Sequence, residues 1–168
     1  RSFIFTPGLK PDMFPKALAS GVDMVCIELE DGIAPKDKVI ARDLALGIFR
    51  NNEMPEDIEV ILRINSIRSS FGLDDIRAVL DTENPPPALM IPKVNDPEEI
   101  VIIDDILTER GHDCRIHPII ETNSGLEKVY EIAKCSNRIE TLFFGLIDMA
   151  AELKCKLAWD QLLYARSR

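Results

Sequence analysis

The sequence predicts an α/β chain of the TIM (β/α)8-type barrel class, here with about six βα units and therefore an incomplete barrel. Three observations carry that reading. Short apolar, β-rich runs alternate with helical patterns roughly every 25 to 35 residues along the chain. The runs are apolar almost without interruption, as in parallel strands covered on both faces or closed on themselves. Finally, polar residues collect just past the strand ends, where a barrel gathers its chemistry. A doubly wound sheet would instead carry a Gly-rich phosphate loop after its first strand, and "FTPGLKPD" has neither GxGxxG nor the Walker lysine pattern.

Each element follows from local signals. "SFIFT" at 2–6 is the first strand, ended by Pro7-Gly8, and a helix over 12–20 is stopped by Gly21. The second strand is "MVCIELE" at 24–30. After the turn at 31–35, Val39, Ile40, Leu44, Leu46 and Ile48 form the apolar stripe of a helix reaching Asn51. The third strand, "IEVILRIN", covers 58–65, and the third helix covers 71–80 before "NPPP" breaks it. "ALMIP" is the fourth strand. Asp96 and Pro97 open the fourth helix as N-cap and first-turn proline, and Gly111 closes it. "RIHPII" is the fifth strand, ending at Glu121, with one helix over 124–134 behind it. "TLFFG" is the sixth strand, followed by a short helix over 148–153 and a further helix beginning near Ala158.

With 168 residues, no low-complexity linker and 46% hydrophobic against 29% charged residues, the chain reads as a single (partial) TIM-barrel domain over 1–168. A net charge of -9 excludes a broad nucleic-acid or anionic-membrane surface, which needs a basic face. No apolar run approaches the roughly 18 to 20 residues that span a bilayer. Cys26, Cys114, Cys135 and Cys155 show no CxxC spacing, which points to free thiols in a reducing compartment, the cytoplasm or the mitochondrial matrix. The chain starts at Arg1 and stops inside the amphipathic pattern "LAWDQLLYARSR", so it is expected to be a piece of something longer.

The strand ends supply the candidate chemistry. Glu121 and Asp148 each lie just past a different apolar strand, so a barrel brings them to one rim. Convergent carboxylates repel unless a cation neutralises them, and magnesium takes one or two protein carboxylates while keeping sites for water and substrate. Position alone supports equally a reading in which the two acids cap the helices that follow them. Arg63, at the end of a buried strand, needs an anion: a substrate carboxylate or enolate oxygen, or an internal partner at Glu30 or Asp31. Alternation in "CIELEDGI" sends Glu28 and Glu30 one way and Leu29 the other. Lys10 and Arg1 are candidate phosphate contacts at the rim, against the bland alternative of solvated loop residues. His112 and His117 have no base partner at triad spacing and read as structural. The face of "CKLAWDQLLYA" reads as core or interface packing.

The ordered set "RSFIFTPGLKPDMFPKALASGVDMVCIELEDGIAP", "LRIN", "MIPKV", "IIETNSGL" and "LFFGLIDMAAEL" resembles the citrate lyase beta-subunit-like enzymes of the HpcH/HpaI aldolase group, collinearly over the whole chain. The resemblance implies a TIM barrel that binds Mg2+ and makes or breaks carbon-carbon bonds in a 3-hydroxyacyl-CoA such as malyl-CoA, citramalyl-CoA or a citryl thioester. It puts the metal-binding pair on Glu121 and Asp148 and the oxo-acid or enolate contact on Arg63, with Glu121 also touching substrate. Glu30 and Asp31 match an acidic pair at the catalytic site, and Lys10 falls where a basic residue lies near the CoA phosphates. It also implies a homo-oligomer, several members being trimeric. Within the same fold, an aldolase on free 4-hydroxy-2-oxo acids or a malyl-CoA thioesterase stands as an alternative; from another class, a non-catalytic truncated subunit does. Family chains continue past the point where this one stops, supplying the closing strands, whereas an open remnant leaves sheet edges exposed.

Overall fold

A computed structural model describes residues 2–168, so Arg1 and its suggested phosphate contact lie outside the described residues. The alternation of apolar runs and amphipathic patterns becomes β1 (Phe3–Pro7), α1 (Phe14–Leu18), β2 (Met24–Glu28), α2 (Lys38–Asn51), β3 (Glu59–Arg63), α3 (Ser70–Leu80), β4 (Ala88–Ile91) and α4 (Pro97–Glu109). The second half continues as β5 (Arg115–Ile120), α5 (Asn123–Glu127), α6 (Val129–Lys134), β6 (Phe143–Phe144), α7 (Leu146–Glu152) and α8 (Leu163–Ser167). All six strands are parallel and lie side by side in chain order, β1 to β6. A doubly wound sheet reverses direction about its first strand. The order here never reverses, so the sheet winds one way and forms a partial TIM-like barrel.

Period-2 side-chain alternation divides the core into two layers. Outward-facing residues such as Val25, Ile27, Val60, Leu62, Leu89 and Ile91 pack under the helices. Inward-facing Met24, Cys26, Ile61, Ala88, Met90 and Ile119 form a second buried cluster with Phe3 and Phe143 against it. Phe3 and Phe143 sit on the two edge strands, yet their rings lie 5.4 Å apart. The sheet is therefore rolled far enough for its edges to meet across the interior.

Capping chemistry sets several helix starts. Asp96 accepts from the Glu98 N–H at 3.3 Å with Pro97 in the first turn, and Ser69 accepts from the Gly72 N–H at 3.1 Å. Gly21 and Gly111, at φ 75° and 71°, end their helices in the left-handed region.

Four elements depart from expectation. The first helix is a 3-10 turn (Pro11–Met13) leading into α1, because Pro15 cannot donate a backbone hydrogen bond. The expected stripe of α2 is rotated: Val39, Ile40 and Leu44 are exposed, while Ala41, Ala45, Ile48 and Phe49 are buried beside Lys38 and Arg42. Small alanines let the helix approach the sheet closely, and buried partners for the two cations outweigh the burial of Val39 and Ile40. The single helix over 124–134 is two, α5 and α6, divided at Lys128, which leaves helical geometry at φ -103°, ψ 17°. The final helix starts at Leu163, and of the last apolar segment Leu162 and Ala165 are buried whereas Leu157, Trp159, Leu163 and Tyr164 are exposed. All four cysteines are free, and no helix among the described residues is long and apolar enough to cross a membrane.

Candidate active site

The carboxyl ends of β2 to β6 converge on one rim. Register pairs Glu28 of β2 with Arg63 of β3, and both point inward. Arg63 Nε lies 2.5 Å from Glu28 Oε2, and Arg63 Nη2 lies 3.2 Å from Glu30 Oε2 and 3.7 Å from Asp31 Oδ2. These contacts are ion pairs without hydrogen-bond alignment: Arg63 Nε and Glu30 Oε2 are both buried with no hydrogen-bond partner. The guanidinium also sits over the Phe5 ring at 4.9 Å. Burial by itself would lower the Arg63 pKa, but Glu28 and Glu30 outweigh it and raise the pKa above the usual arginine value. Burial raises the carboxyl pKa values of Glu28 and Glu30 even with Arg63 beside them. The internal-partner reading of Arg63 is thus realised, with Glu28 as an additional and closest partner.

Lys93, on the loop after β4, joins this cluster although no role was assigned to it from the sequence. Its ammonium pairs with Glu30 Oε1, lies 3.3 Å from Asp31 Oδ1 and 3.6 Å from Asp148 Oδ2. Its backbone N–H donates to Glu121 Oε1 at 2.8 Å. Burial would lower the Lys93 pKa, but Glu30, Asp31 and Asp148 together raise it well above the usual lysine value. The signal was present: "ALMIPK" puts a charge just past an apolar strand, the same pattern that singled out Glu121.

Glu121 is buried against Gly145, where a Cβ would stand 2.2 Å from Glu121 Oε2 and 2.4 Å from Glu121 Cβ. Its carboxyl pKa is pushed up to about 7, first by burial and further by Asp148 and Glu30, with the Lys93 N–H and charge opposing. The capping reading fails for Glu121, because Thr122 is the N-cap of α5 and accepts from the Gly125 N–H at 3.0 Å. Asp148 falls in the first turn of α7, whose N-cap position is Gly145, so it does not cap the helix either.

A buried polar chain supports this rim from behind. Lys38 Nζ donates to the carbonyls of Leu29 and Glu30 at 2.9 and 2.8 Å and to Asn65 Oδ1 at 2.5 Å. Asp75 then accepts from the Asn65 N–H at 2.8 Å, from Asn65 Nδ2 at 2.6 Å and from Arg42 Nε at 2.6 Å. The turn bearing Glu30 and the strand bearing Arg63 are tied together by these bonds. Lys38 and Arg42 were not singled out from sequence; their i, i+4 spacing on the Ala41–Ala45 face was the available clue.

Other candidates lie apart from the rim cluster. The Lys10 side chain is exposed on the turn after β1, where its backbone N–H donates to Pro7 O at 2.9 Å. His117 is buried in the barrel interior with Nε2 2.9 Å from Glu59 Oε1, and His112 Nε2 lies 3.1 Å from Leu80 O. Both histidines hold structural positions.

Glu28, Glu30, Asp31, Glu121 and Asp148 face two cations, Arg63 and Lys93, which leaves the rim with surplus negative charge. Among the described residues, no three His, Cys, Asp or Glu side chains form a ready-made metal cage. The donor set suits a hard ion that needs only one or two protein carboxylates, and it offers nothing to a thiophilic metal.

Residues 1–168 match the family described as HpcH/HpaI aldolase/citrate lyase, and the chain belongs to that family. The L-malyl-CoA/beta-methylmalyl-CoA lyase of Rhodobacter capsulatus is 31% identical over 160 residues, covering 91% of this chain and 50% of that protein. The chain thus spans about half the length of the curated lyases it matches. Among solved structures, RipC from Yersinia pestis superposes with a TM-score of 0.82 at 31% identity, over 99% of this chain and 67% of that one. CitE from Mycobacterium tuberculosis, solved in complex with magnesium and pyruvate, gives 0.78 at 25% identity, over 98% and 65%.

Proposed function

With that family membership as premise, we propose that this chain carries the metal-binding face of a magnesium-dependent carbon-carbon lyase acting on a 3-hydroxyacyl-CoA, of malyl-CoA, citramalyl-CoA or citryl thioester type. The observation that carries the reading is the meeting of Glu121 and Asp148 at Lys93, two carboxylates from separate strand ends on a rim with surplus negative charge. A solved relative holding magnesium and pyruvate supports the same ion and an oxo-acid product. Glu121 and Asp148 would hold the ion, which when bound supplies Lewis-acid stabilisation of the oxo-acid oxygens.

The remaining steps belong to protein groups. Cleavage breaks the bond between carbons 2 and 3 of the acyl chain; the 3-hydroxyl passes its proton to a rim carboxylate and becomes the carbonyl of the oxo acid, while the bonding pair passes to the thioester as an enolate, which takes a proton back at carbon 2 to leave as acyl-CoA. Arg63 stabilises oxygen charge that develops in that step, being a fixed cation in a partly water-excluded site. Glu30 and Asp31 hold the guanidinium in orientation through Nη2, at 3.2 and 3.7 Å. Lys10 is assigned to the CoA phosphates. In this reading the enzyme is a homo-oligomer of the cytoplasm or mitochondrial matrix.

The test uses the full-length protein that contains this chain. Glu121→Ala and Asp148→Ala abolish magnesium-dependent release of acyl-CoA and oxo acid from malyl-CoA-type thioesters. Turnover within a few-fold of wild type refutes the metal assignment. Cleavage of free 4-hydroxy-2-oxo acids alone, release of free CoA alone, or no product with any of these substrates refutes the lyase reading in favour of an aldolase, a thioesterase or a non-catalytic subunit.

A further inference from the structure

Lys93 combines two features that a simple scaffold residue does not need. Its φ is 54°, a left-handed conformation that a lysine adopts only where surrounding contacts hold it. Its contacts are also unequal. The ammonium pairs closely with buried Glu30, but it stands 3.6 Å from Asp148, whose side chain is 37% exposed. The Lys93 side chain is itself only partly buried, and its four-carbon stem is flexible.

We propose that Lys93 is a tethered counter-ion that stands in for the divalent cation in the metal-free protein and withdraws from Asp148 when the ion binds. This rests on the reading that Glu121 and Asp148 hold the metal. Without a cation, the rim carboxylates repel one another; the lysine offsets that repulsion and keeps them gathered. Its close pair with Glu30 remains after withdrawal, so the ammonium stays at the rim beside the incoming ion. The ion therefore binds against both a competitor at Asp148 and a neighbouring positive charge.

The sign of the consequence separates this role from scaffolding. If Lys93 only positioned Glu121 and Glu30, its loss would weaken metal binding. As a competing cation, its loss strengthens binding. Calorimetric titration of the full-length protein with Mg2+ at fixed pH and ionic strength compares wild type with Lys93→Gln and with Lys93→Asn, asparagine being the side chain that best tolerates left-handed backbone. Both variants are expected to bind Mg2+ about threefold to tenfold more tightly, the effect of removing one unit charge a few ångströms away in a water-accessible site. Their metal-free thermal midpoints fall below wild type and recover at saturating Mg2+. Unchanged or weaker Mg2+ binding in the variants, with wild type binding normally, overturns this role and leaves the metal site standing. Failure of wild type to bind Mg2+ overturns the metal reading and this inference with it.

Discussion

Replacing Gly145 with alanine is the sharpest probe of how the rim is built. Gly145 has φ -83° and ψ 84°, so its φ is open to any residue and the cost is steric. The added methyl would lie 2.4 Å from Glu121 Cβ and 2.9 Å from Glu121 Cδ, whereas carbon atoms rest about 3.5–4.0 Å apart, so something must move by roughly 1 Å or more. Glu121 Cβ is one bond from the backbone immediately after β5 and cannot yield alone. The Gly145 N–H donates to Ile120 O at 3.0 Å, so the two backbones cannot separate without breaking that bond. Overpacking of this kind costs about 1–3 kcal/mol, which for a domain this size lowers Tm by roughly 2–12 °C. Under the proposed role of Glu121 as a metal ligand, displacing it by roughly 1 Å should also lower Mg2+ affinity, on the order of tenfold to a hundredfold. Thermal unfolding and Mg2+ calorimetry on Gly145→Ala, beside Gly47→Ala, provide the assay. At Gly47 the nearest atom stands 3.9 Å away and the position is inside α2, so alanine there should stabilise by about 0.5–1 kcal/mol. A Gly145→Ala protein with wild-type Tm and wild-type metal affinity would refute the close-packed cradle.

Two further predictions follow from burial. In metal-free protein Glu121 holds its proton up to about pH 7, whereas in the unfolded chain it loses it near the ordinary glutamate value. Between those limits the folded state binds more protons, so stability falls as pH rises through that window and levels off above about 7. Denaturant midpoints at about pH 5 and pH 8 should differ less in Glu121→Gln than in wild type; equal pH slopes would sink the assignment. Asp75→Ala leaves the buried Arg42 cation without its partner, because exposed Asp74 at 3.8 Å is a poor substitute, and should cost about 3–5 kcal/mol by equilibrium unfolding. A loss under about 1 kcal/mol would show that the network behind the rim carries little of the stability.

Much of the fold was legible because its signals are local. Apolar runs bounded by Pro7-Gly8, Gly21, "NPPP" and Asp96-Pro97 placed the βα units, and the side-chain period of two sent Glu28 and Glu30 to one face. The division at Lys128 and the rotated face of α2 were not legible. Lys38 and Arg42 look like solvated helix cations until Asn65 and Asp75, distant in sequence, supply their partners. The capping alternative for Glu121 was likewise open from sequence, and only the hydrogen bond that Thr122 accepts from the Gly125 N–H of α5 closed it.

By itself, then, the sequence determined which residues stand past strand ends, since strand periodicity and helix punctuation depend on neighbours a few positions apart. It determined the family as well, through the order of its motifs. Which of those residues touch was decided only by the tertiary structure. Lys93 meets Glu30, Asp31 and Asp148 because the rolled parallel sheet brings together strand ends that the chain separates by dozens of residues. The reason is physical: charge pairing and desolvation depend on distances of a few ångströms in space, which local pattern does not encode.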